Sequence, residues 1–263
     1  MTLSIAIPTY NGAKYIRDAL DTIIVQLNDV DEEIEIVISD NASTDETPEI
    51  IKEYQKKHSF IKYFCNEENL GADRNFDLAI KRATGKYVWM FGDDDLIDFG
   101  GIKKVIDILK EYNNLANIFV NYSVYNGDLT SRKDERALKI YKDIHCKNAD
   151  AFFNNSIHSS VVASSNIVLR KLWLSTDTTK YFDTGWIHFG TISSFLILNN
   201  DYTSYCISKP YVILRQGEVR WFNKGTWKTY CNNLWDIVLK MLEKGYKKET
   251  VDKLLQNIKH FEI

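Results

Sequence analysis

The order of strand-like and helix-like segments constrains the fold of this chain more than any other feature. Apolar runs typical of buried strands alternate five times with segments of helical spacing, and short polar turns join them. The five predicted strands are Leu3–Pro8, Ile34–Ser39, Ile61–Cys65, Tyr87–Phe91 and Asn117–Tyr122. Such alternation predicts an α/β fold, with a mostly parallel sheet flanked by helices.

The alternation ends after Tyr125, and the later chain reads less clearly. Residues 126–136 are polar and predict a loop or a mobile hairpin. The other predicted elements are a short helix at Ala149–Phe153, a strand at Val161–Arg170, an apolar helix at Trp186–Leu198, short strands at Tyr202–Ile207 and Tyr211–Arg215, and helices at Thr226–Glu243 and Glu249–Phe261. We therefore divide the chain at residues 125 and 225.

Composition excludes several classes of protein. With 33 basic against 36 acidic residues the net charge is −3, which argues against a nucleic-acid binder. The four cysteines are scattered, which argues against a zinc cluster or a disulfide scaffold and fits a reducing cytosol. No signal peptide and no apolar stretch of roughly 18 residues is visible. We expect a cytoplasmic protein that is soluble or, at most, peripheral to a membrane.

Three consecutive carboxylates, Asp93, Asp94 and Asp95, follow the fourth strand and Gly92. Their mutual repulsion favours a cation, and Mg²⁺ and Mn²⁺ prefer carboxylate and phosphate oxygens. An acidic loop that caps the helix beginning near Phe99 is the other interpretation. The polar clusters at 9–12 and 40–45 also follow strand ends, so all three should line one crevice. This convergence favours a site for a metal and a diphosphate.

Four segments together resemble the family-2 glycosyltransferases of GT-A fold. They are Ile5–Gly12 (IAIPTYNG), Ile38–Asp45 (ISDNASTD), Asn69–Asn75 (NLGADRN) and Gly85–Leu96 (GKYVWMFGDDDL). The Gly-Asp-Asp-Asp form is similar to a branch that includes abequosyltransferase-like enzymes of bacterial surface polysaccharides. The resemblance implies a GT-A (Rossmann-like) domain, followed here by a C-terminal helical extension.

The resemblance also implies a reaction and a division of labour. Residues 1–125 would bind a nucleotide-sugar donor (a UDP-, CDP- or dTDP-sugar) and a divalent metal, Mn²⁺ or Mg²⁺. Residues 126–225 would bind a saccharide or lipid-linked saccharide acceptor, and residues 226–263 would form the extension. The sugar would be transferred to an acceptor hydroxyl with inversion, in the assembly of a bacterial surface polysaccharide such as O-antigen or capsule.

Residue by residue, the family pattern implies donor contacts and metal ligands. The positions that match its nucleotide-binding residues are Pro8, Tyr10, Asn11, Asp40, Arg74 and Asn75. Gly92 occupies the position where the family usually has a first aspartate, near the ribose, and Asp93 is the residue that could replace it. Asp94 aligns with the metal ligand, and Asp95 follows it as a second candidate.

The catalytic base is open between two residues. Residues 181–185 match a family step that precedes an acidic pair, but residues 186–189 (WIHF) replace that pair. Asp183 has the chemistry usual for the family, and His188 has a side chain that titrates near neutral pH. Arg215 stands where many members follow an arginine with a histidine ligand. We expect it either to face the diphosphate or to be a surface residue of a strand.

The C-terminal segment is rich in lysine and apolar residues, which suits contact with an anionic membrane surface. Packing on the catalytic domain, or a homodimer interface, would explain the same pattern. Two other functions compete with glycosyl transfer: a degenerate, non-catalytic nucleotide-sugar-binding module, and a sugar nucleotidyltransferase. The latter needs a glycine-rich basic loop after the first strand, which residues 8–12 do not provide.

Overall fold

The computed structural model describes residues 1–156, 161–216 and 224–258, with the backbone alone described at 224–226. Its strands are β1 Leu3–Thr9, β2 Ile34–Asp40, β3 Ile61–Cys65, β4 Tyr87–Met90, β5 Leu96–Ile97, β6 Leu115–Asn126, β7 Arg132–Asp134, β8 Ile144–Cys146, β9 Asn166–Leu169 and β10 Thr203–Gln216. Its helices are α1 Ile16–Ile24, α2 Thr47–Lys57, α3 Ala72–Arg82, α4 Gly101–Glu111, α5 Ala149–Ser156, α6 Arg170–Ser175, α7 Ile187–Leu198, α8 Lys224–Glu243 and α9 Lys248–Ile258.

The first four predicted strands form the parallel part of one sheet, in the order β3-β2-β1-β4. Every residue of β1, β2 and β4 is buried, which explains their almost continuous apolar sequence. The chain passes from β1 to β2 on one side and reaches β4 on the other. A crevice therefore opens between the carboxyl ends of β1 and β4, the usual place for a ligand in such sheets.

Beyond β4 the sheet is mixed, so the predicted parallel order holds only for its first part. Strand β9 lies antiparallel between β4 and β6, β10 runs parallel to β6, and β5 pairs antiparallel with β10. The short β5 begins directly after the three aspartates. Its pairing with β10 brings the acidic turn next to the later half of the chain.

The later half differs from the sequence prediction in two of its strands. The strand predicted at Val161–Arg170 begins only at Asn166, after a 3₁₀ turn at Ala163–Ser165. The two strands predicted between Tyr202 and Arg215 are one long β10, irregular between Ile207 and Val212. Residues 126–136 form the hairpin alternative, since β7 pairs with the end of β6. Strands β5 and β8 are too short to leave a sequence pattern.

The two C-terminal helices pack on the chain itself. The buried side chains of α8 are Cys231, Leu234, Ile237, Val238 and Met241, and those of α9 are Thr250, Val251, Leu254 and Ile258. The Tyr246 hydroxyl, between the helices, donates to the Ser193 carbonyl of α7 at 2.8 Å. The apolar faces thus belong to the core. The predicted end of the last helix, residues 259–261, lies outside the described residues.

No helix within the described ranges combines the length and the apolar character that a membrane span needs.

Candidate active site

The crevice between β1 and β4 is closed at its base by a contact between their ends. The Thr9 hydroxyl donates to Oδ2 of Asp93 at 2.5 Å, and Asp93 is only 1% exposed. Gly12 packs over this pair, because a Cβ there would lie 2.3 Å from Oδ2 of Asp93. Asp93 therefore points back toward β1 rather than along the turn.

The loops after β1 and β2 hold each other. Asn11 has a left-handed backbone (φ +51°), its N–H donates to Ser43 Oγ at 2.9 Å, and its Oδ1 accepts from the Thr44 N–H at 2.8 Å. The Asp40 carboxylate is fully buried and accepts from the Ser43 N–H and the Tyr63 hydroxyl. Asn11 and Asp40, both predicted to contact the nucleotide-sugar, thus lie at the crevice edge. Their side-chain oxygens accept hydrogen bonds from within the protein.

Two other residues predicted to contact the nucleotide-sugar lie below the crevice surface. Pro8 is buried in β1 beside Ser39. Asn75 is fully buried, donates to the Ser39 carbonyl at 2.8 Å, and accepts from the Ser39 hydroxyl at 2.6 Å. These residues fix the strand ends on which the half-exposed Tyr10 and Asn11 stand.

The acidic run forms a turn in which two carboxylates fold back over Gly92. A Cβ at Gly92 would lie 2.9 Å from Oδ2 of Asp95 and 3.1 Å from Oδ1 of Asp94. Ser164 fixes this arrangement: its hydroxyl donates to Oδ2 of Asp95 at 2.5 Å and accepts from the Gly92 N–H at 2.9 Å. The absence of a side chain at 92 therefore makes room for the two acids that follow.

Burial and the nearby charge of Asp94 raise the pKa of Asp95 to about 8. Two carboxylates beside each other in a buried turn carry more negative charge than the protein alone favours, and a divalent cation would offset it. Among the described residues no cluster of three or more acidic, histidine or cysteine side chains surrounds one point. The residues present fit a metal held by Asp94 and Asp95, with the remaining ligands supplied by substrate and water.

Arg215 ties the acidic turn to β10. Its Nε donates to the Asp94 carbonyl at 3.0 Å, its backbone N–H to Oδ1 of Asp95 at 3.2 Å, and its guanidinium also bonds the Gly127 carbonyl and Asp18. Its side chain is 7% exposed, and its guanidinium stacks on Tyr15 at 4.8 Å. Of the two alternatives for Arg215, the surface strand residue is wrong, because this side chain is buried against the acidic turn.

Arg74 and Asp183, predicted for different roles, form one ion pair. The guanidinium engages both carboxylate oxygens of Asp183, with Nη2 to Oδ2 at 2.9 Å, and stacks on Phe182 at 4.8 Å. The hydrogen bond from Arg74 lowers the pKa of Asp183. The carboxylate is thus ionised at neutral pH, and its side chain is 72% exposed.

His188 lies in a different setting. It is 5% exposed in the first turn of α7, and its Nε2 contacts the Val161 carbonyl at 2.6 Å. Only a protonated nitrogen can donate to a carbonyl, so Nε2 carries the hydrogen of the neutral ring. Burial lowers the pKa of His188 to about 4. This environment argues against the predicted role of His188 as base, because the ring is buried, its pKa is low and its Nε2 already bonds the Val161 carbonyl.

Comparison with known proteins places these features in a family. The model of the family described as Glycosyl transferase family 2 matches residues 4–176, well over half of the chain. The chain belongs to this family. The match includes β1, the loops after β2, α3 and the acidic turn, which confirms the family prediction made from four short segments.

Several family-2 relatives extend the match. The abequosyltransferase RfbV of Salmonella typhimurium is 32% identical over 245 residues, which cover 86% of this chain and 70% of that protein. Uncharacterized glycosyltransferases of Rickettsia prowazekii and Rickettsia typhi are 28% and 30% identical, and the chain spans 59% of the length of each.

Solved glycosyltransferases confirm the predicted GT-A fold class. Staphylococcus aureus TarS 1-349, in complex with UDP-GlcNAc, superposes with a TM-score of 0.76 at 20% identity, covering 100% of this chain and 73% of that one. The mannosyltransferase PcManGT of Pyrobaculum calidifontis, in complex with GDP-Man and Mn²⁺, gives 0.65 at 18% identity, covering 99% and 70%.

Three residues that shape this family-2 site were not singled out from sequence. Thr9 and Asp73 stand inside the recognised segments, so their position was the available signal. Asp73 is buried and accepts the Gly185 N–H at 2.8 Å and the Ile187 N–H at 3.3 Å, at the start of α7. Ser164 precedes β9 in a stretch without a motif, and nothing in the sequence pointed to its contact with Asp95.

Proposed function

We propose that this family-2 protein transfers a sugar from a nucleoside-diphosphate donor to an acceptor hydroxyl during assembly of a cell-surface polysaccharide. The observation that supports it most is the folded acidic turn at the carboxyl ends of β1 and β4. The relatives add the context: RfbV is named an abequosyltransferase, and TuaG of Bacillus subtilis a putative teichuronic acid biosynthesis glycosyltransferase.

The donor would lie in the crevice between the loops after β1, β2 and β4. The accessible candidates for contact with the nucleotide and its sugar are Tyr10, Asn11 and Arg74. Asp40, and Asp93 toward the ribose, would first have to exchange their present hydrogen bonds for bonds to the donor. Pro8 and Asn75 act here as supports, since their side chains are buried under the loops. Arg215 supports the turn from the other side through the Asp94 carbonyl.

Asp94 and Asp95 would hold Mn²⁺ or Mg²⁺. When bound, the cation would supply positive charge beside the departing diphosphate, which carries the electrons of the broken bond. Hydrogen bonds from Ser164 and Arg215 hold the turn in which both carboxylates lie over Gly92. The transfer is thus metal-dependent in this proposal.

Asp183 acts as general base in this proposal. It accepts the proton of the acceptor hydroxyl while that oxygen attacks the anomeric carbon from the face opposite the diphosphate, so the configuration inverts. Asp183 suits the role because its carboxylate is exposed at the crevice, on a turn that precedes α7. The acceptor saccharide, free or lipid-linked, would approach over residues 126–225.

Calorimetry with UDP, CDP, dTDP and GDP, with and without Mn²⁺, tests the donor site directly. At least one nucleotide should bind more tightly when the metal is present. A chain that binds none of them under either condition would contradict the proposal, whereas binding without turnover would favour the degenerate module. Donor hydrolysis over a panel of sugar nucleotides then identifies the sugar.

Replacing Asp94 with Ala should abolish metal-stimulated binding and transfer and leave the fold intact, because Asp94 is half-buried on a turn held by its backbone. Asp107→Ala removes the same group from the exposed face of α4, where Asp107 pairs with Lys103, and should change neither. Metal titration by calorimetry and circular dichroism of both variants provide the readout. Undiminished turnover of the Asp94 variant would show that the metal site lies elsewhere.

Contact with the inner face of the plasma membrane and homodimer formation stay predictions. Since α8 and α9 bury their apolar faces within the chain, membrane contact would depend on lysines at their exposed faces. Co-sedimentation with anionic vesicles at low and high salt would test this contact, and light scattering would test the dimer.

A further inference from the structure

The pair of Arg74 and Asp183 keeps the proposed base occupied. The planar guanidinium bonds both carboxylate oxygens along one edge of the group, so an acceptor hydroxyl would have to share the carboxylate with Arg74. A carboxylate in such a pair is also a weaker base, because the hydrogen bond from Arg74 lowers its pKa. Within the part of the chain that the structure describes, the other titratable groups that face this turn are Asp73 of α3 and Tyr230 of α8.

The turn that carries Asp183 is held without help from Arg74. Asp183 and Gly185 have left-handed backbones (φ +64° and +79°), and the Gly185 N–H donates to the buried Asp73. The Tyr230 ring packs so closely on Gly185 that a Cβ there would lie 2.3 Å from it. Asn233 of α8 donates to the Thr184 carbonyl at 3.2 Å. If the guanidinium left, the carboxylate would stay in place.

Arg74 belongs to the donor side of the crevice. It lies in the first turn of α3, whose start is fixed to the end of β2 by hydrogen bonds from Asn41 to Asn69 and to the Gly71 carbonyl. Its side chain is 38% exposed and can swing on its flexible stem. A diphosphate carries more charge than one carboxylate and offers the same two-oxygen edge to a guanidinium.

We propose that Arg74 is a positioning residue that makes the base available only after the donor has bound. When the diphosphate enters the crevice, the guanidinium moves from Asp183 to a phosphate oxygen, and Asp183 becomes open to the acceptor. The acceptor proton then passes to Asp183, the acceptor oxygen bonds the anomeric carbon, and the carbon–oxygen bond to the diphosphate breaks with its electron pair on the phosphate. This inference rests on the proposed function.

The proposal predicts that a change at the base alters the affinity for the nucleotide. Removing the charge of the base should strengthen the binding of a nucleoside diphosphate, because Arg74 no longer has to leave a partner. In Asp183→Asn we expect tighter binding of the selected nucleotide by about twofold to fivefold, the range that an exposed ion pair is worth, together with loss of transfer. Unchanged or weaker binding in this variant would overturn the coupling.

A double-mutant cycle separates this coupling from a general charge effect. In an Arg74→Gln background, Asp183→Asn should leave the affinity for the nucleotide unchanged. Asp177→Asn removes a charge from an exposed residue shortly before the same turn, where Asp177 pairs with Lys180 at 3.6 Å. It should not raise the affinity. A gain from Asp177→Asn, or an equal gain from Asp183→Asn without Arg74, would overturn the proposal.

A measurement on the wild-type chain keeps the test independent of the variants. The carboxyl carbon of Asp183, followed by NMR over a pH titration, should show its pKa rising when the nucleoside diphosphate is added. A pKa that stays low in the bound state would overturn the coupling but leave the donor site standing. Failure of every nucleotide to bind would overturn the proposed function and this inference together.

Discussion

At the scale of single residues, Gly92 determines the geometry of the acidic turn because it has no side chain. Position 92 is a glycine where the family usually has an aspartate, and the two acids that follow occupy the space that its side chain would need. Asp93 is correspondingly turned toward Thr9. The chain thus differs from the family pattern in more than the loss of one carboxylate: Asp94 and Asp95 lie over Gly92, and Asp93 bonds Thr9.

Gly92→Ala should therefore damage the site more than its size suggests. The added methyl group would press on Asp95, which Ser164 and Arg215 hold, so we expect weaker metal-dependent nucleotide binding and a loss of about 1–3 kcal/mol in the free energy of unfolding. Gly245→Ala is the control, since Gly245 has φ +101° and open space around it. It should cost about 1 kcal/mol through backbone strain and leave nucleotide binding unchanged. Equal nucleotide affinity in both variants would contradict this account.

His188 makes a prediction about pH and stability. Its pKa is about 4 in the fold against an ordinary value of 6.5, so the unfolded chain binds the extra proton and the folded chain does not. The free energy of unfolding is therefore not reduced by this group above pH 6.5, and it falls as the pH drops toward 4. The loss amounts to about 2 kcal/mol between pH 8 and pH 5. Urea unfolding should show that part of the pH dependence missing in His188→Gln. The same pH dependence in both proteins would refute the assignment.

At the scale of elements, β10 connects the later half of the chain to the acidic turn. It pairs with β5 directly after the acidic turn, and Arg215 near its end bonds the turn itself. Ser164, just before β9, bonds the same turn from a third element. The turn is thus fixed by strands that come long after it in the chain, and its geometry depends on their packing.

Arg215→Lys should loosen this connection while keeping the charge. A lysine offers a point charge in place of the planar fork that serves Asp94, Gly127 and Asp18, so buried carbonyls lose partners. We expect a loss of about 1–3 kcal/mol in unfolding free energy and weaker metal-dependent nucleotide binding. Arg17→Lys, on an exposed pair with Glu53, should cost less than about 0.5 kcal/mol. Similar losses of unfolding free energy in both variants would mean that the hydrogen bonds of Arg215 do not stabilise the turn.

Some elements could be predicted from the sequence and others could not. Strands β1, β2 and β4 were predictable because buried parallel strands are almost continuous apolar runs between clear turns. The edge of the sheet proposed to bind the donor followed from the ends of these strands. The run at 161–170 misled because residues 163–165 form a 3₁₀ turn and the strand begins only at Asn166. The pairing of Arg74 with Asp183 joins residues far apart in sequence, so only the three-dimensional fold could show it.

At the scale of the whole molecule, the site joins parts of the chain that sequence separates. Donor loops, the acidic turn, the Asp183 turn and α8 are linked through Arg74, Asp73, Arg215 and Tyr230. The C-terminal helices were predicted as an extension, yet α8 packs directly on the turn of the proposed base through Tyr230 and Asn233. Activity and stability of this region should therefore change together.

A matched pair on α8 tests whether the chain unfolds as one unit. Met241 is fully buried and its neighbour Leu242 is 41% exposed, so Met241→Ala should cost about 2–5 kcal/mol and Leu242→Ala under about 0.5 kcal/mol. If the helices and the sheet form one cooperative structure, the Met241 variant should unfold in a single transition at lower urea, with amides of β1 exchanging hydrogen at the same reduced stability. A separate early transition confined to α8 and α9, with β1 protection unchanged, would show instead that the helices are an appended unit.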